Sequence, residues 1–160
     1  MAKRKKRSPS VALAEKLGFR SKLEHDISKM LTAVGIVWEY EPIHRTMQYE
    51  LITKKKSVSC TTCGCNSFSQ KHNYLADFYL PKYDLYIEAK GYFRQGAADR
   101  KKLEALTKQG EKIVVLFQSP DLKISKGSKS TYADWADRVG VKWLYVKDDL
   151  WIEKLKSIFK

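Results

Sequence analysis

Residues 77–90, DFYLPKYDLYIEAK, determine how the central strands pair. They contain two apolar runs separated by the turn-forming segment PKYD. Together with the residues just before it, this pattern predicts two strands, over residues 74–80 and 85–90, joined as a hairpin. The economical register pairs Leu80 with Leu85, directly across the turn.

This register places Asp77 opposite Glu88, so that two carboxylates stand on one face of the hairpin. Lys90 shares that face, because successive side chains of a strand alternate and Ala89 points the other way. Directly opposed like charges destabilise a strand pair by up to ~1 kcal/mol, and a bound divalent cation would remove the conflict. The alternative is a solvated hairpin face, on which Glu88 and Lys90 form an ion pair worth ~0.5 kcal/mol.

Two carboxylates and a lysine in this arrangement suit metal-assisted phosphodiester hydrolysis. Carboxylate oxygens are the ligands that Mg²⁺ prefers. The metal would activate a water molecule and neutralise charge on the phosphate, while the lysine would orient or stabilise the attacking hydroxide. Glu24 is the candidate ligand for a second metal ion, since it lies in the first turn of a predicted helix. The segment SKLE at 21–24 also fits a capping box, which would account for Glu24 without catalysis.

The rest of the chain predicts a mixed α/β domain built around this hairpin. The order helix, strand, strand, strand, helix, strand implies a mixed β-sheet with helices on its faces. Helices are predicted over residues 11–17, 22–34, 97–109 and 132–139 and from about 149, and further strands over 36–41, 47–52, 113–117 and 142–146. The polar residues 53–73 are predicted to leave the sheet.

The charge of the chain indicates the class of its partner. The 160 residues include 31 Lys and Arg against 18 Asp and Glu, a formal net charge of +13. This excess indicates nucleic acid, or next an anionic membrane surface, with a merely soluble basic surface as the alternative. No apolar run reaches the ~20 residues that span a bilayer, and the N terminus lacks the apolar core of a secretory signal. A cytoplasmic protein is therefore expected.

Five stretches follow one another along the chain: FRSKLE at 19–24, WEYE at 38–41, DFYLP at 77–81, IEAKG at 87–91 and KGS at 126–128. Together they resemble the bacteriophage endonuclease I family of Holliday-junction resolvases, within the PD-(D/E)XK nuclease superfamily. The resemblance covers most of residues 17–145. Ala76 departs from it, because many members have a proline there, and the segment 53–73 is longer than the family's connection.

The resemblance implies a fold and an activity. The fold is an αβββαβ nuclease core, a mixed central β-sheet flanked by helices, in an intertwined, domain-swapped homodimer. In this dimer the helix glutamate of one chain completes the active site of the other. The activity is the resolution of four-way and branched DNA by paired nicks during DNA recombination. Such an enzyme is encoded by a bacteriophage and acts in the host cytoplasm.

The resemblance also implies the site residues. The catalytic residues would be Glu24, Asp77, Glu88 and Lys90. The metal ligands would be Glu24, Asp77, Glu88 and the backbone carbonyl of Ala89, which would hold Mg²⁺ or Mn²⁺, with two ions per active site.

Basic residues are expected to hold the branched DNA through its phosphates, by shape rather than by sequence. Residues 1–9 are predicted to form a flexible basic arm, and residues 10–160 a single nuclease domain with a cysteine-containing insertion at about 53–73. The candidate DNA-binding residues are Lys3, Arg4, Lys5, Lys6, Arg7, Arg20, Lys22, Arg94, Arg100, Lys101, Lys123, Lys126 and Lys129.

The insertion carries Cys60, Cys63 and Cys65 in a CTTCGC segment, which contains the C-x-x-C-G turn of a zinc knuckle. One knuckle provides two or three ligands. The fourth would be His72, or two chains would each contribute Cys60 and Cys63 to a shared four-thiolate site. The alternative is an exposed, reduced loop without metal. A bound zinc ion would be structural, because the segment contains no acid.

Three functions are compatible with these observations. The leading one is a Mg²⁺-dependent, structure-selective DNA endonuclease that acts as a homodimer on branched junctions. The second is a non-catalytic nucleic-acid-binding protein that uses the zinc knuckle and the basic arm. The third is a sequence-specific restriction-type or repair nuclease. Metal-dependent nicking separates the second from the others, and preference for a junction over linear duplex separates the first from the third.

Overall fold

The computed structural model describes residues 9–54 and 60–158, which form helices around a mixed β-sheet. The predicted arm at Lys3–Arg7 lies outside these residues. In chain order the elements are α1 (Pro9–Lys16), α2 (Lys22–Ala33), β1 (Glu39–Tyr40), β2 (Met47–Lys54), β3 (Ser67–Tyr74), β4 (Phe78–Leu80), β5 (Leu85–Lys90), α3 (Ala97–Lys108), β6 (Ile113–Phe117), α4 (Tyr132–Val139), β7 (Lys142–Tyr145) and α5 (Trp151–Ile158).

The central sheet has five strands in the order β1-β4-β5-β6-β7. Neighbours are antiparallel from β1 to β5 and parallel from β5 to β7. Strand β6 is buried along its whole length, as its unbroken apolar run predicts. The mixed sheet with flanking helices confirms the predicted fold class. None of the helices in the described ranges is long and apolar enough to cross a membrane.

The hairpin β4–β5 has the predicted register. Leu80 pairs with Leu85 and Phe78 with Ile87, and a 3-10 turn, Pro81–Tyr83, connects the two strands. Asp84 closes the turn in the left-handed region, at φ 47°, a conformation that aspartate tolerates better than most residues. The hairpin therefore fixes the position of Glu88 and Lys90 relative to β4.

The single strand predicted over residues 74–80 is wrong, because the chain changes sheets within it. Tyr74 ends β3, where it pairs with Met47, whereas Phe78 begins β4, where it pairs with Tyr40. Asp77 thus lies one residue before the last hairpin pair. Its Oδ2 accepts a hydrogen bond from the backbone N–H of Ala89 at 2.7 Å. This side-chain contact extends the link between the two strands beyond the backbone ladder.

Strands β2 and β3 form a separate antiparallel ribbon, in which Met47 pairs with Tyr74 at one end and Lys54 with Ser67 at the other. The strand predicted over 47–52 is confirmed, but it lies outside the central sheet. Much of the segment 53–73, predicted as an excursion, is strand β3. The base of the ribbon packs on α3, where Met47 and Tyr49 are buried in a cluster with Leu103 and Leu106.

Two apolar clusters cover the two faces of the central sheet. Alternate residues of β6 belong to different clusters, as expected for a strand that is covered on both faces. The first cluster joins the sheet to α2 and α5 and includes Ile27, Leu31, Val114, Leu116 and Trp151. The second joins it to α3 and α4 and includes Leu103, Leu106, Val115, Phe117 and Trp135. Burying each such side chain stabilises the fold by ~1.5–3 kcal/mol.

Candidate active site

All four predicted catalytic side chains line one open cleft of about 520 Å³. Glu24 comes from the first turn of α2, Asp77 from the turn into β4, and Glu88 and Lys90 from β5. The carboxyl groups are buried, with Glu24, Asp77 and Glu88 only 7%, 3% and 5% exposed. Solvation favours exposed carboxylates, so it does not explain why three acids are buried, even in a chain of net charge +13.

Glu24 is fixed by contacts around the start of α2. Ser21 caps the helix, since its hydroxyl accepts the backbone N–H of Glu24 at 3.2 Å. The Glu24 carboxylate accepts hydrogen bonds from the Ser21 hydroxyl at 2.7 Å, the Arg20 backbone N–H at 3.0 Å and the Tyr40 hydroxyl at 2.5 Å. Ser21 therefore makes the hydroxyl contact of the predicted capping box. The Glu24 carboxylate accepts its hydrogen bonds from the Ser21 hydroxyl, the Arg20 backbone and Tyr40 at the cleft.

Asp77 lies between groups that oppose one another. Burial and the neighbouring charge of Glu88 raise the pKa of Asp77 to about 8. On the other side, the Arg20 guanidinium contacts Asp77 Oδ1 at 2.5 Å and Glu41 Oε1 at 2.6 Å. The site therefore places positive charge directly against the buried carboxyl group.

Glu88 and Lys90 form a close ion pair, with 2.5 Å between Lys90 Nζ and Glu88 Oε1. Burial lowers the pKa of Lys90, but the Glu88 carboxylate outweighs it, so the pKa is raised and the ammonium group stays charged. Tyr74 also lines the cleft, and burial together with the charge of Glu88 raises its pKa well above the usual range. The second oxygen, Glu88 Oε2, is buried and accepts no hydrogen bond from the described residues.

The donors of this cleft are of the kind that a hard divalent cation prefers, although among the described residues the three carboxyl groups are not gathered closely enough to hold one ion together, as the three cysteines are. Asp77 and Glu88 are adjacent buried carboxyl groups, and the unpartnered Oε2 of Glu88 is the kind of atom that a metal would satisfy. Every side-chain donor among Glu24, Asp77 and Glu88 is an oxygen, which suits Mg²⁺ or Mn²⁺ rather than a thiophilic metal.

Basic side chains form the walls of the cleft. Of the predicted DNA-binding residues, Arg20, Lys22 and Arg94 line it, and Lys102, which is not in that predicted set, lines it as well. Lys22 also forms an ion pair with Asp26 one turn along α2. A phosphate backbone at the mouth of the cleft would thus meet several cations.

The remaining predicted DNA-binding residues lie farther along the surface. Lys101 is exposed on α3, and Lys123, Lys126 and Lys129 are exposed on the loop between β6 and α4. Arg100 is different, because its guanidinium donates to the Ile124 carbonyl at 3.2 Å and lies 5.8 Å from the centre of the Phe93 ring. Arg100 therefore fastens this basic loop to α3.

Several residues that shape the cleft are not predicted from the sequence. The sequence predicts strands at Tyr40 and Tyr74, but the alternation of these strands gives no sign that the two hydroxyl groups face acids. Asp99 and Gln118 line the cleft from α3 and from the residue after β6. Gln118 follows a buried parallel strand, and that position, at the carboxyl edge of the sheet, is the signal that could have indicated it.

The three cysteines are close together at the end of the ribbon. Their sulfur atoms all lie within 4.8 Å of one another, and 2.9 Å separates Cys63 Sγ from Cys65 Sγ. His72, the predicted fourth ligand, is not brought to them, because it lies on β3 with its ring stacked on Tyr49 at 5.3 Å. The cysteines do not line the cleft.

Comparison with known proteins agrees with the resemblance seen in the sequence. The chain matches the model of the family described as Phage endonuclease I over residues 5–156. It is 31% identical over 127 residues to Endonuclease I of Escherichia phage T7, which covers 78% of this chain and 71% of that protein. It is 29% identical over 125 residues to Endodeoxyribonuclease 1 of Enterobacteria phage T3, covering 77% and 68%. Since the family model spans nearly the whole chain, the protein belongs to the phage endonuclease I family.

Proposed function

We propose that this protein is a metal-dependent DNA endonuclease that nicks four-way and other branched DNA junctions. The observation that carries the proposal is one cleft that combines three buried acids and a lysine, Glu24, Asp77, Glu88 and Lys90, with basic walls. The family supports the nuclease activity, since its relatives from phages T7 and T3 are named an endonuclease and an endodeoxyribonuclease.

The metal would be Mg²⁺, or Mn²⁺ in its place, with two ions per active site. Asp77, Glu88 and the backbone carbonyl of Ala89 would hold one ion, and Glu24 would help to hold the second. When bound, such a metal neutralises charge on the phosphate and lowers the pKa of a water molecule. The buried, unpartnered Glu88 Oε2 supports this assignment, since it has an unused acceptor at the cleft.

Lys90 has a different role from the acids. Its ammonium group is held against Glu88 and stays charged, so it is available to orient the attacking oxygen and to offset negative charge in the transition state. The walls formed by Arg20, Lys22, Arg94 and Lys102 would hold the phosphates on either side of the bond that is cut. Contacts of this kind carry no sequence information, which suits recognition of DNA by its shape.

The decisive assay compares a labelled four-way junction with a linear duplex of the same sequences, with and without Mg²⁺. We expect the wild-type protein to nick the junction in Mg²⁺ and to leave the duplex largely intact. Glu88→Gln is expected to lose at least ~100-fold in nicking rate, because it removes a charge that the reaction requires. Glu104→Gln is the matched control, since Glu104 pairs with Lys108 on α3 and does not line the cleft.

Other results would replace the proposal. Equal nicking of junction and duplex would indicate a general or sequence-specific nuclease. Binding of DNA with no metal-dependent nicking would indicate a non-catalytic nucleic-acid-binding protein. Nicking that Glu88→Gln leaves intact would place the reaction elsewhere in the molecule.

We further propose that the enzyme works as a homodimer, because paired nicks in opposite strands require two active sites. We propose that this dimer is domain-swapped, as the family resemblance implies, so that the partner's Glu24 takes the place that Glu24 of the same chain has in the cleft described above. A complementation experiment tests the exchange. The Glu24→Gln and Glu88→Gln substitutions are each expected to inactivate the protein. The two variants are then mixed, unfolded, refolded together and assayed. In a swapped heterodimer one site carries both substitutions and the other carries neither, so nicking returns. Sites built within single chains each keep one substitution, and the mixture stays inactive.

A further inference from the structure

The tip of the β2–β3 ribbon contains a group of thiols that the nuclease proposal does not use. Cys60, Cys63 and Cys65 have their sulfur atoms within 4.8 Å of one another. A tetrahedral zinc ion with Zn–S bonds of about 2.3 Å holds its sulfur ligands about 3.8 Å apart. The sulfur atoms of the three cysteines are therefore already close to that spacing.

The backbone around the thiols is already closed into a tight loop. Cys60 N–H donates to the Cys65 carbonyl at 2.7 Å, and Gly64 N–H donates to the Cys60 carbonyl at 2.9 Å. Gly64 has a φ of +68°, in the left-handed region that favours glycine. Backbone N–H groups of Cys63 and Thr62 also face the Cys60 sulfur. Amides directed at a sulfur are the arrangement found in a zinc knuckle.

From this geometry we propose that Cys60, Cys63 and Cys65 bind one zinc ion per chain, which clamps the tip of the β2–β3 ribbon. Thiolates select zinc over Mg²⁺, so the clamp and the active site take different metals. No His, Asp or Glu of the described residues joins the sulfur group. Residues 55–59 have the sequence KKSVS, which contains no such ligand either. The three sulfurs leave one position of the ion for a solvent molecule in this proposal, in contrast to the four protein ligands usual in structural zinc sites.

The ribbon needs such a clamp because its apolar support ends before the tip. Met47 and Tyr49 are buried on α3, Leu51 is half-buried, and Ile52 is 74% exposed. An isolated pair of strands is at best marginally stable in water. A structural zinc ion supplies folding free energy in place of an apolar core. The tip therefore has little apolar packing, and in this proposal the bound metal supplies the missing stability.

The first test is the metal content of protein purified without a chelator. We expect about one zinc ion per chain in the wild-type protein and less than about a tenth of that in Cys60→Ser. His72→Ala is the matched control and is expected to keep its zinc, because His72 stacks on Tyr49 and lies roughly 17 Å farther along β3 than Ser67. Zinc at the level of Cys60→Ser in the wild type, or about one ion for two chains, would overturn the proposal.

The second test follows the ribbon itself by amide hydrogen exchange, with zinc present and after its removal. We expect exchange in the tip half of the ribbon, residues 51–54 and 67–70, to accelerate by about tenfold or more without zinc. The Met47 and Tyr74 end is expected to change little, because α3 and the central sheet support it. Unchanged exchange at the tip in zinc-loaded and zinc-free protein would show that the metal, if bound, is not a clamp. Neither test depends on nicking activity.

Discussion

Replacing Asp77 with asparagine is expected to stabilise the metal-free protein at neutral and mildly alkaline pH. Burial, and then the charge of Glu88, raise the pKa of Asp77 from its ordinary 3.8 to about 8 in the folded protein. Because the folded pKa is the higher one, the favourable contribution of Asp77 is complete below about pH 4. It is lost as the pH rises to about 8. Asparagine does not ionise, so the variant escapes this loss.

The size of the effect follows from the pKa and from the contacts that the substitution removes. Raising a pKa by one pH unit corresponds to about 1.4 kcal/mol, so the distance from 3.8 to about 8 corresponds to roughly 6 kcal/mol. Against this, the variant loses the ion pair with Arg20, whose side chain is 59% exposed. The amide oxygen keeps the hydrogen bond from Ala89 N–H. An ion pair to so exposed a partner contributes at most about 1 kcal/mol, so we expect a net gain of about 5 kcal/mol near pH 8 and almost none near pH 4.

Urea unfolding in the presence of a chelator measures this gain at pH values from about 5 to about 8. The unfolding midpoint of Asp77→Asn should exceed that of the wild type by a margin that grows with pH, at a similar slope. Asp121→Asn, which changes an exposed aspartate outside the cleft, is the matched control and should show no such trend. A margin that does not depend on pH, or a wild type that is more stable at pH 8, would show that ionisation of the buried Asp77 does not destabilise the protein. Mg²⁺ at about 100 times its Kd should restore about 2.7 kcal/mol to the wild type alone.

Substitutions at three further positions test other interactions of the structure. Lys90→Ala should lower junction nicking by at least ~100-fold and leave junction binding within about threefold, because Lys90 acts on the transition state; a large loss of binding affinity would contradict this. Arg20→Ala should lower the Mg²⁺ concentration for half-maximal stabilisation by roughly tenfold, since its guanidinium competes for Asp77, and an unchanged or higher concentration would count against that competition. Thr131→Ala should lower the free energy of unfolding by ~1 kcal/mol and Thr131→Ser by much less, because Thr131 and Asp134 form the capping box of α4; equal urea midpoints for all three proteins would contradict it.

The parts of the fold that local sequence determines were predictable. The hairpin register follows from the apolar runs on either side of a short turn, and it puts Glu88 and Lys90 on one face. The start of α2 follows from Ser21 and the apolar stripe behind it. The resemblance then identified the four side chains that the structure brings into one cleft.

The parts that depend on distant pairing were not predictable. Strand β3 has the polar sequence SFSQKHNY, and it forms because β2 lies beside it and α3 supports the base of both strands. The change of sheets between Tyr74 and Phe78 is set by two different partners, Met47 and Tyr40, that are far away in sequence. Arg20 and Asp77 lie 57 positions apart in the sequence, and no periodic pattern indicates that they are in contact.

The alternation of β6 has a consequence for how the domain unfolds. Val114 and Leu116 belong to the cluster beneath α2 and α5, whereas Val115 and Phe117 belong to the cluster beneath α3 and α4. Strand β6 therefore contributes side chains to both apolar clusters. Neither cluster can open without exposing β6, so we expect the two clusters to unfold together in one cooperative transition. The same strand supports the cleft, since β5, which carries Glu88 and Lys90, pairs directly with β6.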